Sequence, residues 1–210
     1  MDVSSVIQMI AIAAFAMTGV IAVSSKGIDL FTACVMGTIT AIGGGTVRDL
    51  ILGVPVFWAV ELNYIWVSLA ASVVAFFAKP LFDRRHLFSL MLYLDAFGAS
   101  LFAVQASNKV WDLQFGLPVA PVILGVLTAI GGGLIRDVLA GHQTLLMNRE
   151  LYAIPILIGC IIFVASLALF PEHRSISAIA CISFIFGLRA AVIHWELTVP
   201  HWLITKPKQE

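Results

Sequence analysis

An all-α integral membrane protein is the fold class that this sequence predicts, with seven transmembrane helices: two inverted three-helix repeats plus a seventh helix. The first observation is composition, since 60% of the 210 residues are hydrophobic and 11% are charged, against about 25% charged in an average soluble domain. A chain with mean hydropathy +1.02 has more apolar surface than a fold of this size can hide from water. The second observation is a series of apolar segments, and the third is a glycine-rich motif that occurs twice.

Seven apolar segments have roughly the 20-residue length that crosses the hydrocarbon core of a bilayer. They are approximately Val3–Val23, Ile28–Leu52, Phe57–Ala78, Leu87–Ala106, Val119–Ala140, Leu151–Phe170 and Ile176–Ile193. We expect one membrane domain over residues 1–210, with a polar tail at residues 204–210. The first segment has no basic residues before it and no clear cleavage site after it, so we expect a retained helix rather than a signal peptide.

The Lys and Arg residues predict the orientation of the chain. If the ends of the seven spans alternate between the two sides, nine of these residues fall on one side and three on the other. The positive-inside rule places the richer side in the cytoplasm. We therefore expect the N-terminus outside and the C-terminus in the cytoplasm.

The segment TAIGGGTVRDLILG at residues 40–53 returns as TAIGGGLIRDVLAG at residues 128–141, with nine of the fourteen positions identical. The similarity extends further, because FAMTG at 15–19 lies over FAVQA at 102–106. The chain therefore divides into repeat one at about 3–79, repeat two at about 87–170, and a seventh helix at about 175–195. Three spans per repeat place the second repeat upside down in the membrane, as in many transport proteins.

Each copy of the motif has three consecutive glycines within a span. A helix rises 1.5 Å per residue, so these glycines lie about 20–24 Å from the start of their spans, inside a core about 30 Å thick. Glycine costs about 1 kcal/mol relative to alanine in a helix. We therefore expect a kink or break at Gly43, Gly44, Gly45, Gly131, Gly132 and Gly133. The alternative is close helix packing, because glycines let two backbones approach.

A break would release backbone carbonyls, and such carbonyls can hold a monovalent cation without any carboxylate. The candidate carbonyls are those of Ile42, Gly43, Ile130 and Gly131. The arginines that follow each triplet favour anions instead. Charge alone therefore leaves the preferred ion open.

An Arg-Asp pair follows each glycine triplet: Arg48 with Asp49, and Arg136 with Asp137. Ionisable residues inside a membrane are rare and usually line a pathway or pair with one another. Sequence neighbours point to different helix faces, so we expect each charge to find a partner outside its own pair. The repeat then predicts a pathway with one arginine near each mouth. The alternative is that the arginines only anchor the helix ends at the interface.

Five other polar residues are candidates for the lining of a pore: Thr18, Thr38, Thr40, Asp95 and Thr128. The alternatives are threonine hydroxyls that bond their own helix and an aspartate that lies at the membrane interface. We expect Lys26 and Lys109 to be interfacial anchors.

Several classes of function are disfavoured. The GGGTVRD stretch lacks the lysine and the strand context of a phosphate-binding loop. We find no catalytic constellation and no metal-ligand spacing, so we expect neither an enzyme nor a cofactor. Zero net charge without a basic run argues against nucleic-acid binding.

Duplicated GGG-x-x-R-D segments at this spacing, with RELYAIP at residues 149–155, resemble the prokaryotic TRIC (trimeric intracellular cation) channel family. The resemblance extends from residue 15 to about residue 200. It implies a homotrimer in the plasma membrane of a prokaryote, with a pore in each subunit between the second and fifth spans. It also implies passive conduction of monovalent cations, chiefly K⁺ and Na⁺. Because some bacterial relatives carry a glycine-transporter label, a secondary transporter of a small solute such as glycine is the alternative.

Overall fold

The computed structural model describes residues 3–78, 84–147 and 151–198. Over these residues the protein is built from eight α-helices: α1 Val3–Val23, α2 Leu30–Leu52, α3 Phe57–Val60, α4 Asn63–Ala78, α5 Arg84–Asp112, α6 Val119–Ala140, α7 Ala153–Leu169 and α8 Arg174–His194. By length and composition, α1, α2, α5, α6 and α8 can each cross a membrane. The helices α4 and α7 are shorter and also apolar. The protein is therefore an all-helical membrane protein, as the composition predicts.

The predicted third span is two helices in the structure. The single turn of α3 ends at Val60, and the backbone at Glu61 is extended before α4 begins at Asn63. The 16 residues of α4 rise only about 24 Å, less than the thickness of a typical hydrocarbon core. Length alone therefore does not assign a third crossing to α4.

The predicted fourth span is longer than expected. The helix α5 continues for 29 residues to Asp112, so that Lys109 lies in its last turn rather than in a connection. Parts of three other predicted features fall outside the described residues: the third connection at 79–83, the RELYAIP stretch at 148–150 and the polar tail at 204–210.

The two motif helices end in the same way. Gly53 and Gly141 follow α2 and α6 in the left-handed conformation, with φ of 66° and 64°. Each glycine donates its amide N–H to carbonyls of the last helical turn, and the first of these belongs to Asp49 or Asp137. Glycine has no Cβ to oppose a positive φ, so the repeated glycine fixes where both helices stop.

The helices pack as two similar groups. In the first group α1 contacts α2 and α4, and in the second α5 contacts α6 and α7. The groups meet through α1 against α5 and through α2 against α6, while α8 packs on α5 and α7. The buried core between them includes Phe15 against Phe102, whose ring centroids are 5.3 Å apart. This arrangement brings the two copies of the motif together.

A break at the glycine triplets, one of the two expected forms, is wrong, whereas a kink within a continuous helix stays a prediction. Both α2 and α6 are helical through all three glycines. Three glycines cost about 3 kcal/mol of helix propensity, whereas each unsatisfied backbone group in lipid costs several kcal/mol. A continuous helix is therefore the less costly solution, provided that the glycines contribute to packing.

Candidate functional site

The glycine triplets lie where α2 crosses α6. A Cβ added to Gly44 would collide with the carbonyl oxygen of Thr128, and one added to Gly132 would collide with the carbonyl oxygen of Thr40. The 88-residue shift of the repeat relates Gly44 to Gly132 and Thr40 to Thr128, so each contact is the counterpart of the other. The two helices therefore cross about an approximate local two-fold axis. Close packing, which was the alternative explanation for the glycines, is thus present at the crossing.

The carbonyl site predicted for a cation depended on a helix break. With both helices continuous, these carbonyls remain within regular helix. The carbonyl oxygen of Ile42 also accepts a hydrogen bond from the Thr46 hydroxyl at 2.8 Å. The structure therefore gives no support to released carbonyls at this point.

The candidate threonines mostly bond their own helices. Thr40 and Thr128, which the repeat relates, donate to the carbonyls of Met36 and Leu124 at 2.7 and 2.6 Å. Thr18 donates to the carbonyl of Phe15 at 2.8 Å. Thr38 instead shares a 3.2 Å hydrogen bond with Ser68 and so links α2 to α4.

Asp49 is the centre of the repeat-one charges. Its Oδ1 accepts from Arg48 Nε and from Lys109 Nζ, both at 2.8 Å, and its Oδ2 accepts from the Phe57 amide at 2.9 Å. The guanidinium of Arg48 lies 5.7 Å from the centroid of the Phe57 ring. The expectation that Arg48 and Asp49 cannot pair is wrong, because the arginine side chain is long enough to reach its neighbour. Lys109 is an ion-pair partner rather than only an interfacial anchor.

The repeat-two charges contain the same Arg-Asp pair and the same kind of amide contact, together with one more carboxylate. Arg136 Nε donates to Asp137 Oδ1 at 2.8 Å, and Asp137 Oδ2 accepts from the Leu145 amide at 3.0 Å. In addition, Arg136 Nη1 donates to Asp95 Oδ1 at 2.9 Å. Arg136 and Asp95 are both fully buried, so neither is an interfacial charge.

Arg189 adds a second buried arginine to this end of the molecule. It comes from α8, and its guanidinium carbon lies 4.5 Å from the centroid of the Tyr152 ring. Its Nη1 donates to the carbonyl of Leu151 at 3.5 Å. Sequence reasoning missed this contact because α8 belongs to neither repeat and has no partner copy to compare.

The charge clusters of the two repeats differ in how exposed their arginines are. A cavity of about 470 Å³ opens beside Arg48, and Gln8, Gln105, Asn108 and Lys109 line part of its wall. Arg136 has no exposed side-chain surface. The structure thus has an open pocket at the repeat-one charges and a closed cluster at the repeat-two charges.

Sequence comparison with known proteins finds the same division of the chain into two repeats. A family model described as "Glycine transporter" matches residues 5–80 and again residues 92–168, which correspond to the two repeats. The "UPF0126 membrane protein" of Vibrio cholerae is 34% identical over 95% of this chain and 83% of its own length. The "UPF0126 inner membrane protein YadS" of Escherichia coli is 32% identical over 92% of this chain and 93% of its own length.

A solved structure has the same fold. The TRIC trimeric intracellular cation channel orthologue from Rhodobacter sphaeroides superposes with a TM-score of 0.87 and 35% sequence identity, covering 94% of this chain and all of that one. Sequence, duplication and fold agree over nearly the whole chain, which therefore belongs to the prokaryotic TRIC family that includes the UPF0126 membrane proteins.

Proposed function

We propose that this protein is a passive channel for the monovalent cations K⁺ and Na⁺, with a pathway in each subunit along the crossing of α2 and α6. The observation that carries this proposal is the reciprocal glycine crossing, which joins two repeat-related helices that each bear a buried Arg-Asp pair. The relative from Rhodobacter sphaeroides, described as a cation channel, supports the same function.

The ion pairs are compatible with cation conduction. Asp49 pairs with both Arg48 and Lys109, while Asp95 and Asp137 both contact Arg136. Paired arginines attract anions less than free ones do, because the carboxylate field opposes theirs within a few ångströms. The buried position of Arg136 makes the repeat-two end the constriction, so conduction requires this cluster to move.

The arrangement in the membrane follows from the repeat. We place seven crossings, with α3 and α4 together forming the third, and the two repeats inverted relative to each other. Arg48 then lies toward the outside and Arg136 toward the cytoplasm, in a bacterial inner membrane such as the one named for the Escherichia coli relative. The assembly is a homotrimer, as in the description of the Rhodobacter sphaeroides relative.

Planar-bilayer recording of the purified protein tests the proposal. With K⁺ as the sole permeant cation we expect discrete single-channel currents that reverse at the K⁺ equilibrium potential. The alternative, a glycine transporter, is favoured only by the description of the family model. Saturable, gradient-coupled glycine uptake into proteoliposomes without K⁺ currents would establish that alternative and reject the channel.

A further inference from the structure

We propose that the cavity beside Arg48 is a binding site for a small soluble carboxylate, held by the terminal nitrogens of Arg48 and by Lys109. The site goes beyond the proposed function, because its ligand is an anion and not the permeant cation. Arg48 and Lys109 share Asp49 as their carboxylate partner. Asp112, which also lines the cavity, is paired with Arg174, so these two charges cancel. Among these described residues, one positive charge at the cavity is therefore left without a carboxylate.

The outer edge of the Arg48 guanidinium has the geometry to bind a carboxylate. Both oxygens of Asp49 are occupied, and its Oδ1 holds Arg48 through Nε alone. Within the described residues, no hydrogen bond reaches the two terminal nitrogens of Arg48, which lines the cavity. Phe57 and Asp49 contact the guanidinium of Arg48 and orient it. Its outer edge, which carries the two terminal nitrogens, is therefore preorganised to bind a ligand. A planar carboxylate matches this edge with two parallel N–H···O bonds, which a spherical halide cannot do.

The repeat-two cluster contains the arginine–carboxylate contact that we propose for a ligand in repeat one. In repeat two, Asp95 supplies a carboxylate oxygen 2.9 Å from Arg136 Nη1. The 87-residue shift that relates Phe15 to Phe102 places Gln8 at the position of Asp95. Gln8 lines the cavity and accepts from the Tyr64 hydroxyl through Oε1, which leaves its NH₂ end as a further donor. A soluble carboxylate would therefore supply at Arg48 what Asp95 supplies at Arg136.

Saturation-transfer NMR on the purified full chain in lipid nanodiscs tests this site, with sodium acetate as the probe. We expect transfer to the acetate methyl group in the wild type and none to ethylammonium, which has the opposite charge. Arg48→Gln should abolish the transfer, and Lys109→Gln should weaken acetate binding several-fold. Lys26→Gln is the matched control, because this exposed lysine lies beside Gly141 at another part of the fold, and it should bind acetate as the wild type does.

Gln8→Asp is the sharpest variant, because it removes no positive charge. It introduces at position 8 the carboxylate that repeat two already has at Asp95. Because this carboxylate would occupy the terminal nitrogens of Arg48, we expect acetate to bind at least tenfold more weakly. Folding of each variant is checked by gel filtration and thermal melting. If Arg48→Gln does not fold, the comparison of Gln8→Asp with the wild type tests the site. Absence of transfer in the folded wild type would overturn the site, as would equal transfer in wild type and Gln8→Asp. Acetate binding is measured without any ionic current, so this test can succeed or fail independently of the channel proposal.

Discussion

At the scale of single residues, the site is organised by the buried carboxylates of Asp49 and Asp137, which each accept hydrogen bonds from more than one donor. Asp49 accepts from three groups on α2, α3 and α5. Removing one partner of a buried ion pair leaves the other charge uncompensated in a medium of low dielectric constant. The carboxylates therefore hold helices together in addition to any role in conduction.

We expect Asp49→Asn to lower the free energy of unfolding by about 3 kcal/mol, because Arg48 and Lys109 would then face each other without a counter-charge. Asp112→Asn is the matched control, since Asp112 is 51% exposed in its pair with Arg174 and an exposed pair contributes about 1 kcal/mol or less. Reversible unfolding in mixed detergent micelles measures both. Equal losses for the two variants would contradict a central role for Asp49.

The sequence predicts that these charges lie inside the fold, which their burial confirms, but it does not predict their partners. The duplicated motif singled out Arg48, Asp49, Arg136 and Asp137, and Asp95 was a candidate of its own. The pairs Arg136–Asp95 and Lys109–Asp49 join residues 41 and 60 positions apart. Such pairs depend on how helices pack, and a periodic pattern within one helix carries no information about them.

At the scale of helices, the glycines illustrate how packing overrides propensity. Their weak helix preference suggests a break, yet α2 and α6 remain continuous because a break in lipid would strand backbone groups. The five helices long enough to cross a membrane were predictable from apolar length, including both ends of α6. The division between α3 and α4 was not, because the hydropathy of that stretch does not show where the backbone leaves the helix.

Two neighbouring glycines on α2 give a matched test of the crossing. We expect Gly44→Ala to reduce or abolish K⁺ current, because its Cβ would collide with the fixed backbone carbonyl of Thr128. Overpacking of this kind costs about 1–3 kcal/mol. Gly43→Ala should keep its current, since the new Cβ would meet only Cδ1 of Ile135, the far end of a side chain that can turn away. Planar-bilayer recording with equal amounts of folded protein compares the two variants. Equal currents would show that the packing of α2 against α6 at Gly44 does not control conduction.

At the scale of the whole molecule, the two repeats have diverged at their ends. One end has Gln8, Lys109 and an open cavity, while the other has Asp95 with the buried side chains of Arg136 and Arg189. A duplicated fold with identical ends would respond alike to both sides of a membrane. The two ends therefore differ in charge and in exposure, and the orientation of the chain decides which compartment each end faces.

The predicted orientation can be tested with single cysteines in a variant whose own cysteines, Cys34, Cys160 and Cys181, are replaced by alanine. Gln114 lies between α5 and α6, and Ser25 lies between α1 and α2; both are exposed. With the N-terminus outside, Gln114→Cys should react with a membrane-impermeant maleimide in intact spheroplasts. Ser25→Cys should react only after the membrane is opened. The reverse pattern would invert the assignment of both mouths, and labelling of both sites in intact cells would contradict the count of crossings between them.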